Sequence, residues 1–263
     1  MGSILFWLSL AACTCGIVLT ILATVNRSAA ARIGSTIALW TAAVLQLAAF
    51  GLSTWATGRL PLGNLADFLS TLGWLVLVGY LVVNARWKVP ALGMVLPPMA
   101  FFLSVLGVVL PQRHSVTEPV MASKGMLLFH TSLSTLGMAA FFVAAAMSLV
   151  YVLQDRALKR KQAGSWLRRL PSLHKADRAG LEALVWGFPL FTVGIATGIG
   201  ILAMDQENVK IAITKPLFPI LAWTIFAVVL GARLARGFRG RKAAYLTMAG
   251  FVLGLLTVIG INL

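Results

Sequence analysis

The sequence predicts an all-α, polytopic integral membrane bundle of about eight transmembrane helices, with the N-terminus and C-terminus both outside. Three observations carry this expectation. Of the 263 residues, 59% are hydrophobic and 11% charged, a balance that leaves too few polar residues to clothe a water-soluble surface. Charge-free apolar windows of about 20 residues recur along the chain, each long enough to cross a hydrocarbon core. The basic residues alternate between successive connections, dense on one side and sparse on the other.

A segment in lipid must satisfy its own backbone hydrogen bonds, and a central Arg or Lys costs about 2.5–3.5 kcal/mol. On that basis the spans read as 3–24, 33–55, 65–84, 90–110, 126–153, 183–204, 214–232 and 243–262. The first has no basic leading region, and its apolar core is longer than that of a secretory signal, so it reads as a helix. Cys13 and Cys15 lie two apart within it and point to different faces, which excludes a disulfide or a metal pair between them. The third span opens with Asn64 and Asp67 three residues apart, the spacing of an N-cap and an acidic N3 residue. Pro97 and Pro98 fall inside the fourth and are expected to bend it. The fifth and sixth are joined by the longest polar stretch, 154–182, a basic and partly helical surface hairpin interrupted by Gly164 and Pro171. Gly194 and Gly198 form a small-xxx-small packing signal on the sixth. The spans together make a single transmembrane domain over 1–263.

Orientation follows from the charges. Arg27, Arg32, Arg86, Lys88, the eight basic residues from Arg156 to Arg178 and the five from Arg233 to Lys242 occupy alternate connections. These are seventeen of the 22 Lys and Arg residues, so that side is expected to face the cytoplasm. Topology and contact with anionic lipid account for the net charge of +15, and no nucleic acid is needed to explain it.

Polar groups within spans are expensive unless paired, which makes the few present informative. Gln46, deep in the second span, needs a partner on another helix, and an interhelical hydrogen bond answers that need. His130 lies about one turn into the fifth span from the outer side, followed on the same face by Ser134, Gly137 and Phe141. Its imidazole can ligate a metal or haem iron, or bond a neighbouring carbonyl. Asp67 reads first as part of a cap. Arg59, Lys124, Lys210 and Lys215 lie near the outer starts of the third, fifth and seventh spans, where the helix dipoles are positive. They can receive carboxylates such as haem propionates, or serve as interfacial anchors. His114 and His174 fall in connections on opposite sides. Phosphate-binding glycine loops, nucleophile elbows and paired metal-spaced histidines are absent from the sequence.

Four segments in register resemble the CcsA/CcmC-type haem-handling membrane proteins of the cytochrome c assembly family, in particular its HemX-like branch. They are GRLPLGNLADFLSTLGW at 58–74, LLFHTSLSTLGMAAFFVAAAMSLVYVLQDRALK at 127–159, GFPLFTVGIATG at 187–198 and ILAWTIFAVVLGARLARGFRGRKAAYLTMAGF at 220–251. The resemblance covers about 40–263 and implies a helical bundle that carries or delivers haem near the outer face. His130 falls on a family histidine and becomes the implied axial ligand. Arg59, Lys124 and Lys215 are the implied propionate partners, and Asp67 would orient a neighbour. The chain departs from the pattern in three places. MDQENVKIAITKP at 204–216 replaces the family's Trp-rich signature, although Lys215 falls on that motif's lysine. Gln46 and Gly231 fall where two further family histidines are expected. These departures argue against bis-histidine coordination and against cytochrome c synthase activity.

The sequence therefore leads to a haem-handling, cytochrome c assembly-type protein of a bacterial-type inner membrane, acting as a binding or accessory component. Haem is the expected cofactor. The expected partners are the lipid bilayer and the membrane proteins of cytochrome c maturation or respiration. The alternative is a structural membrane subunit of a larger respiratory or assembly complex that has lost haem binding.

Overall fold

Apolar stretches in lipid can close all their own backbone hydrogen bonds as helices, and helices are what form. A computed structural model describes residues 2–26, 28–58, 61–62, 64–87, 90–110, 124–159, 171–204 and 217–262, the side chains of 86–87, 90–91, 124, 204 and 258–262 excepted. The helices are α1 (Gly2–Asn26), α2 (Ala29–Thr57), α3 (Leu65–Trp87), α4 (Leu96–Val109), α5 (Lys124–Lys159), α6 (Leu173–Met204), α7 (Leu217–Arg236) and α8 (Arg241–Asn262), with a 3-10 turn at Pro90–Met94. Among the described residues, seven segments are long and apolar enough to cross a membrane. The chain is an all-α, multi-pass membrane protein.

The side chains of α2 show which solvent these helices meet. Ile33, Ile37, Val44 and Leu47 are all more than half exposed, with Trp40 between them at 40%. They recur at helical spacing as one apolar outward stripe. The inward face carries Ser35, Leu39, Ala42, Ala43, Gln46 and Ala49. An apolar surface over a small-residue interior suits lipid, where association rests on close packing and interhelical hydrogen bonds. Trp55, 90% exposed at the end of α2, has the amphipathic ring favoured at a membrane interface.

Local sequence sets the helix ends. The Ser28 hydroxyl caps α2 by accepting from the Ala31 N–H at 3.2 Å, and Gly58 ends it in the left-handed region at φ 67°, which costs a glycine little. Asn64 and Asp67 form the expected cap of α3. The Asp67 N–H donates to Asn64 Oδ1 at 2.8 Å, and the Asn64 amide donates to Asp67 Oδ2 at 3.0 Å. Cys13 is buried and Cys15 exposed, on different faces as expected.

The two prolines behave differently from expectation. Pro97 and Pro98 do not bend a continuous helix over 90–110; they occupy the first turn of α4. There the missing N–H forfeits no helical bond, whereas each ring clashes with the carbonyl four residues earlier. The chain therefore breaks upstream, at the 3-10 turn and Val95. The hairpin stretch 154–182 is helical at both ends, α5 running to Lys159 and α6 starting at Leu173. Gly164 lies outside the described residues.

The chain forms two compact units, Met1–His114 with Arg168–Pro171, and Ser115–Leu167 with Ser172–Leu263. In the first, α3 and α4 approach closely through glycines. A Cβ on Gly73 would stand 2.6 Å from the Ala100 carbonyl oxygen, and one on Gly107 would stand 2.6 Å from that of Ala66. In the second, Phe141 of α5 is fully buried. It stacks on Phe226 of α7 with centroids 3.8 Å apart and meets Phe191 of α6 edge-on at 5.2 Å. Phe142 meets Phe251 of α8 at 5.5 Å, so adjacent residues of α5 reach all three neighbouring helices of the unit.

Candidate functional site

His130 sits near the start of α5 and faces α6. The two helices pack through small residues there. A Cβ on Gly194 would stand 2.5 Å from Ser134 Oγ, and one on Gly198 would stand 2.6 Å from His130 Cε1. Only a glycine at 198 leaves room for the imidazole in this position. The small-xxx-small pair is thus more than a packing signal, because its second glycine seats the ring.

The ring is also held by hydrogen bonding. His130 Nδ1 lies 2.7 Å from the Gly194 carbonyl oxygen. A carbonyl only accepts, so Nδ1 carries the proton. The Thr197 hydroxyl, which donates to Val193 and Gly194 carbonyls at 2.9 Å, lies 3.4 Å from the same nitrogen. Nε2 makes no hydrogen bond among the described residues, and in the neutral ring it carries the lone pair. A backbone carbonyl on one imidazole nitrogen is the usual outer-shell arrangement of a ligating histidine, since it fixes the tautomer and raises the basicity of the other nitrogen.

What the described residues offer here is a single oriented imidazole. A porphyrin brings four equatorial nitrogens of its own, and what it needs from a protein is an axial donor. A single oriented histidine fits that need.

The other predicted residues are placed as follows. Gln46 is 3% exposed, and its amide nitrogen donates to the Ser70 carbonyl and to Ser104 Oγ, both at 3.2 Å. This is the interhelical bond expected of it, tying α2 to α3 and α4. Asp67 closes the α3 cap. Both belong to the first unit and His130 to the second. Gly231, where a family histidine is expected, is exposed on α7 with open space around it. Arg59, Lys210 and Lys215 lie outside the described residues, as does the side chain of Lys124, whose backbone opens α5. The neighbouring carbonyl that the sequence reading allowed His130 is that of Gly194; which residue supplies it, and the approach of Thr197, were not foreseen. The signal available was the pair of glycines on the sixth span.

The chain has relatives among known proteins. The family described as "Cytochrome C assembly protein" matches residues 1–263. The chain is 26% identical over 233 residues to "Cytochrome c biogenesis protein CcsA" of Parasynechococcus marenigrum (strain WH8102), covering 80% of this chain and 76% of that one. It is 26% identical over 222 residues to "Protein HemX" of Bacillus subtilis (strain 168), covering 81% and 77%. A CcsA of Synechococcus sp. (strain CC9311) aligns over 257 residues at 24% identity, covering 87% and 84%. This chain belongs to the cytochrome c assembly protein family.

Proposed function

We propose that this chain handles haem in cytochrome c assembly, binding it at His130 as a carrier or accessory component in a bacterial-type inner membrane. The observation that carries the reading is the His130 seat, with Nδ1–H held by the Gly194 carbonyl and Nε2 free to donate. Haem would supply an iron that takes a donor from the protein. His130 Nε2 supplies the donor, and Gly194, Gly198 and Thr197 hold the ring still. Lys124 and Lys215, which belong to the same unit as His130, would receive the propionates.

Orientation follows from the charges of the second unit. From His130 to Asp155 is 25 residues of α5, about 38 Å of helix and therefore about the thickness of a bilayer. The described charges of this unit gather at the Asp155 end, in the last turns of α5 and α7 and the first turns of α6 and α8. With that basic end cytoplasmic, the far end of α8 and the His130 seat lie on the outer side.

A structural subunit without haem is the second reading, and one observation favours it. Gln46, at a position where the family has a histidine, spends its amide on Ser70 and Ser104. Absorption spectra of detergent-purified, haem-replete protein, oxidised and reduced, separate the two. The first reading expects a Soret band that His130→Ala removes. No band in the unmodified protein leaves the structural subunit.

A further inference from the structure

At the end of the second unit opposite His130, the last turns of α5 and α7 meet the first turns of α6 and α8. Arg233 is buried, its side chain 4% exposed. Its Nη2 donates to the Asp177 carboxylate and, at 3.0 Å, to the Asp177 backbone carbonyl. Arg239 Nε lies 3.9 Å from the other Asp177 oxygen. Asp155 Oδ2 receives Lys159 Nζ at 3.0 Å and stands 3.3 Å from Arg241 Nε. Arg156 Nη2 donates to the Tyr245 hydroxyl at 2.6 Å. Five cations thus gather around two carboxylates, four of them in ion pairs and Arg156 on a hydroxyl.

Among the described residues, two donors of this cluster, Arg233 Nε and Arg241 Nε, are buried and make no hydrogen bond, although Arg241 Nε faces the Asp155 carboxylate. A solvated basic face would leave its spare donors in water, whereas a buried guanidinium N–H without an acceptor is costly. Beside Arg233, a small cavity lined by Ser148, Tyr151, Gly180 and Ala244 has room for a single water and no larger group. Arg241 is different: its side chain is 37% exposed, and it opens α8, whose first backbone N–H groups point the same way as the helix dipole.

We propose that Arg241, Arg239 and Arg156, with the N-terminus of α8, bind the phosphate of an anionic phospholipid. The acceptor must be rich in oxygen and negative, because the cluster holds three uncompensated positive charges. The height selects the source. These helix ends are where the apolar spans leave the hydrocarbon, and the phosphates of the leaflet lie at that level. Arg233 and Asp177 form the fixed floor of the site and lock α6 to α7, and the cavity water completes Arg233.

The test is native mass spectrometry and thermal unfolding of the full chain in neutral detergent, titrated with phosphatidylglycerol, phosphatidylcholine or inorganic phosphate. Phosphatidylglycerol is expected to bind one-to-one and to raise the unfolding temperature, with phosphatidylcholine inert. The double variant Arg239→Gln/Arg241→Gln should weaken phosphatidylglycerol about tenfold or more. Lys175→Gln/Arg178→Gln removes the same charge from exposed positions of α6 and should change it by less than about twofold. Equal weakening by both double variants, or equal binding of the two lipids, overturns the proposal. Protection by inorganic phosphate without protection by the lipid assigns the cluster to a free anion and overturns the lipid source.

Discussion

His130 Nδ1 and the Gly194 carbonyl oxygen, 2.7 Å apart, join α5 to α6 through a main-chain acceptor that no side-chain substitution removes directly. What holds the geometry is the space beside it. Gly198 leaves the imidazole its seat, and Gly194 brings the two helices close enough for the bond to form. The position of the imidazole therefore rests on residues with no side-chain chemistry of their own.

Gly198→Ala tests that dependence. The added methyl would stand 2.6 Å from His130 Cε1, so the ring must leave and Nδ1 must give up its acceptor. Overpacking of this kind costs about 1–3 kcal/mol, a loss that lowers the unfolding temperature in detergent. The more telling readout is spectral: the Soret band of haem-loaded protein should shift or disappear. Gly194→Ala meets Ser134 instead and should destabilise the helix pair with a smaller spectral change. Identical spectra for Gly198→Ala and the unmodified protein would mean that the ring does not depend on this seat.

The cap of α3 gives a local prediction. Asn64→Ala removes the acceptor of the Asp67 N–H and the donor to its carboxylate, and an N-cap is worth about 0.5–2 kcal/mol. Amide hydrogen exchange in the first turn of α3 should accelerate by about twofold to thirtyfold, while the centre of the helix keeps its protection. Uniform acceleration along α3 would show that the cap supports more than the helix start.

Topology can be read with thiols. In a Cys13→Ala/Cys15→Ala background, Ser172→Cys marks the exposed start of α6 and Gly125→Cys the exposed start of α5. With the basic connections cytoplasmic, a membrane-impermeant maleimide added to intact cells should label Gly125→Cys, and Ser172→Cys only after lysis. The reverse pattern would place the His130 seat on the cytoplasmic side and remove the topological support for delivery to the outer face.

Much of this fold was legible because lipid imposes one rule on every span, that the backbone pair with itself. The eight helices, the opposite faces of Cys13 and Cys15 and the Asn64–Asp67 cap all follow from spacing alone. Pro97 and Pro98 were read as a bend because a hydropathy window cannot see where a helix begins; the clash with the preceding turn decides it. Of the site, His130 was legible as a rare polar residue in a span and as a match to a family position. Its partner was not, since the Gly194 carbonyl belongs to the main chain, and any residue type in the sequence carries one. The unequal sharing of cations at the far end was hidden for a related reason. Asp155 and Asp177 lie within the basic stretch 154–182, and only the convergence of four helix ends brings Arg233 and Arg241 to them.

Gln46 supplies the last prediction. Its amide nitrogen serves Ser70 and Ser104 at once, and Gly73 and Gly107 let α3 and α4 approach closely enough for both to be reached. Gln46→Leu keeps the volume and removes both hydrogen bonds. Interhelical hydrogen bonds in membrane proteins average about 0.6 kcal/mol and reach about 1.7 kcal/mol, because the separated helices find other partners for their polar groups. The expected loss is therefore about 0.5–1.5 kcal/mol, seen as a lower midpoint in reversible denaturation in mixed micelles, with the helical circular dichroism of the native state unchanged. Ser104→Ala removes one of the two bonds and should cost less, and the double variant should cost less than the two losses added, since they share a bond. Strict additivity would mean that Gln46 and Ser104 act separately, and that the tie between α2 and α4 contributes nothing of its own.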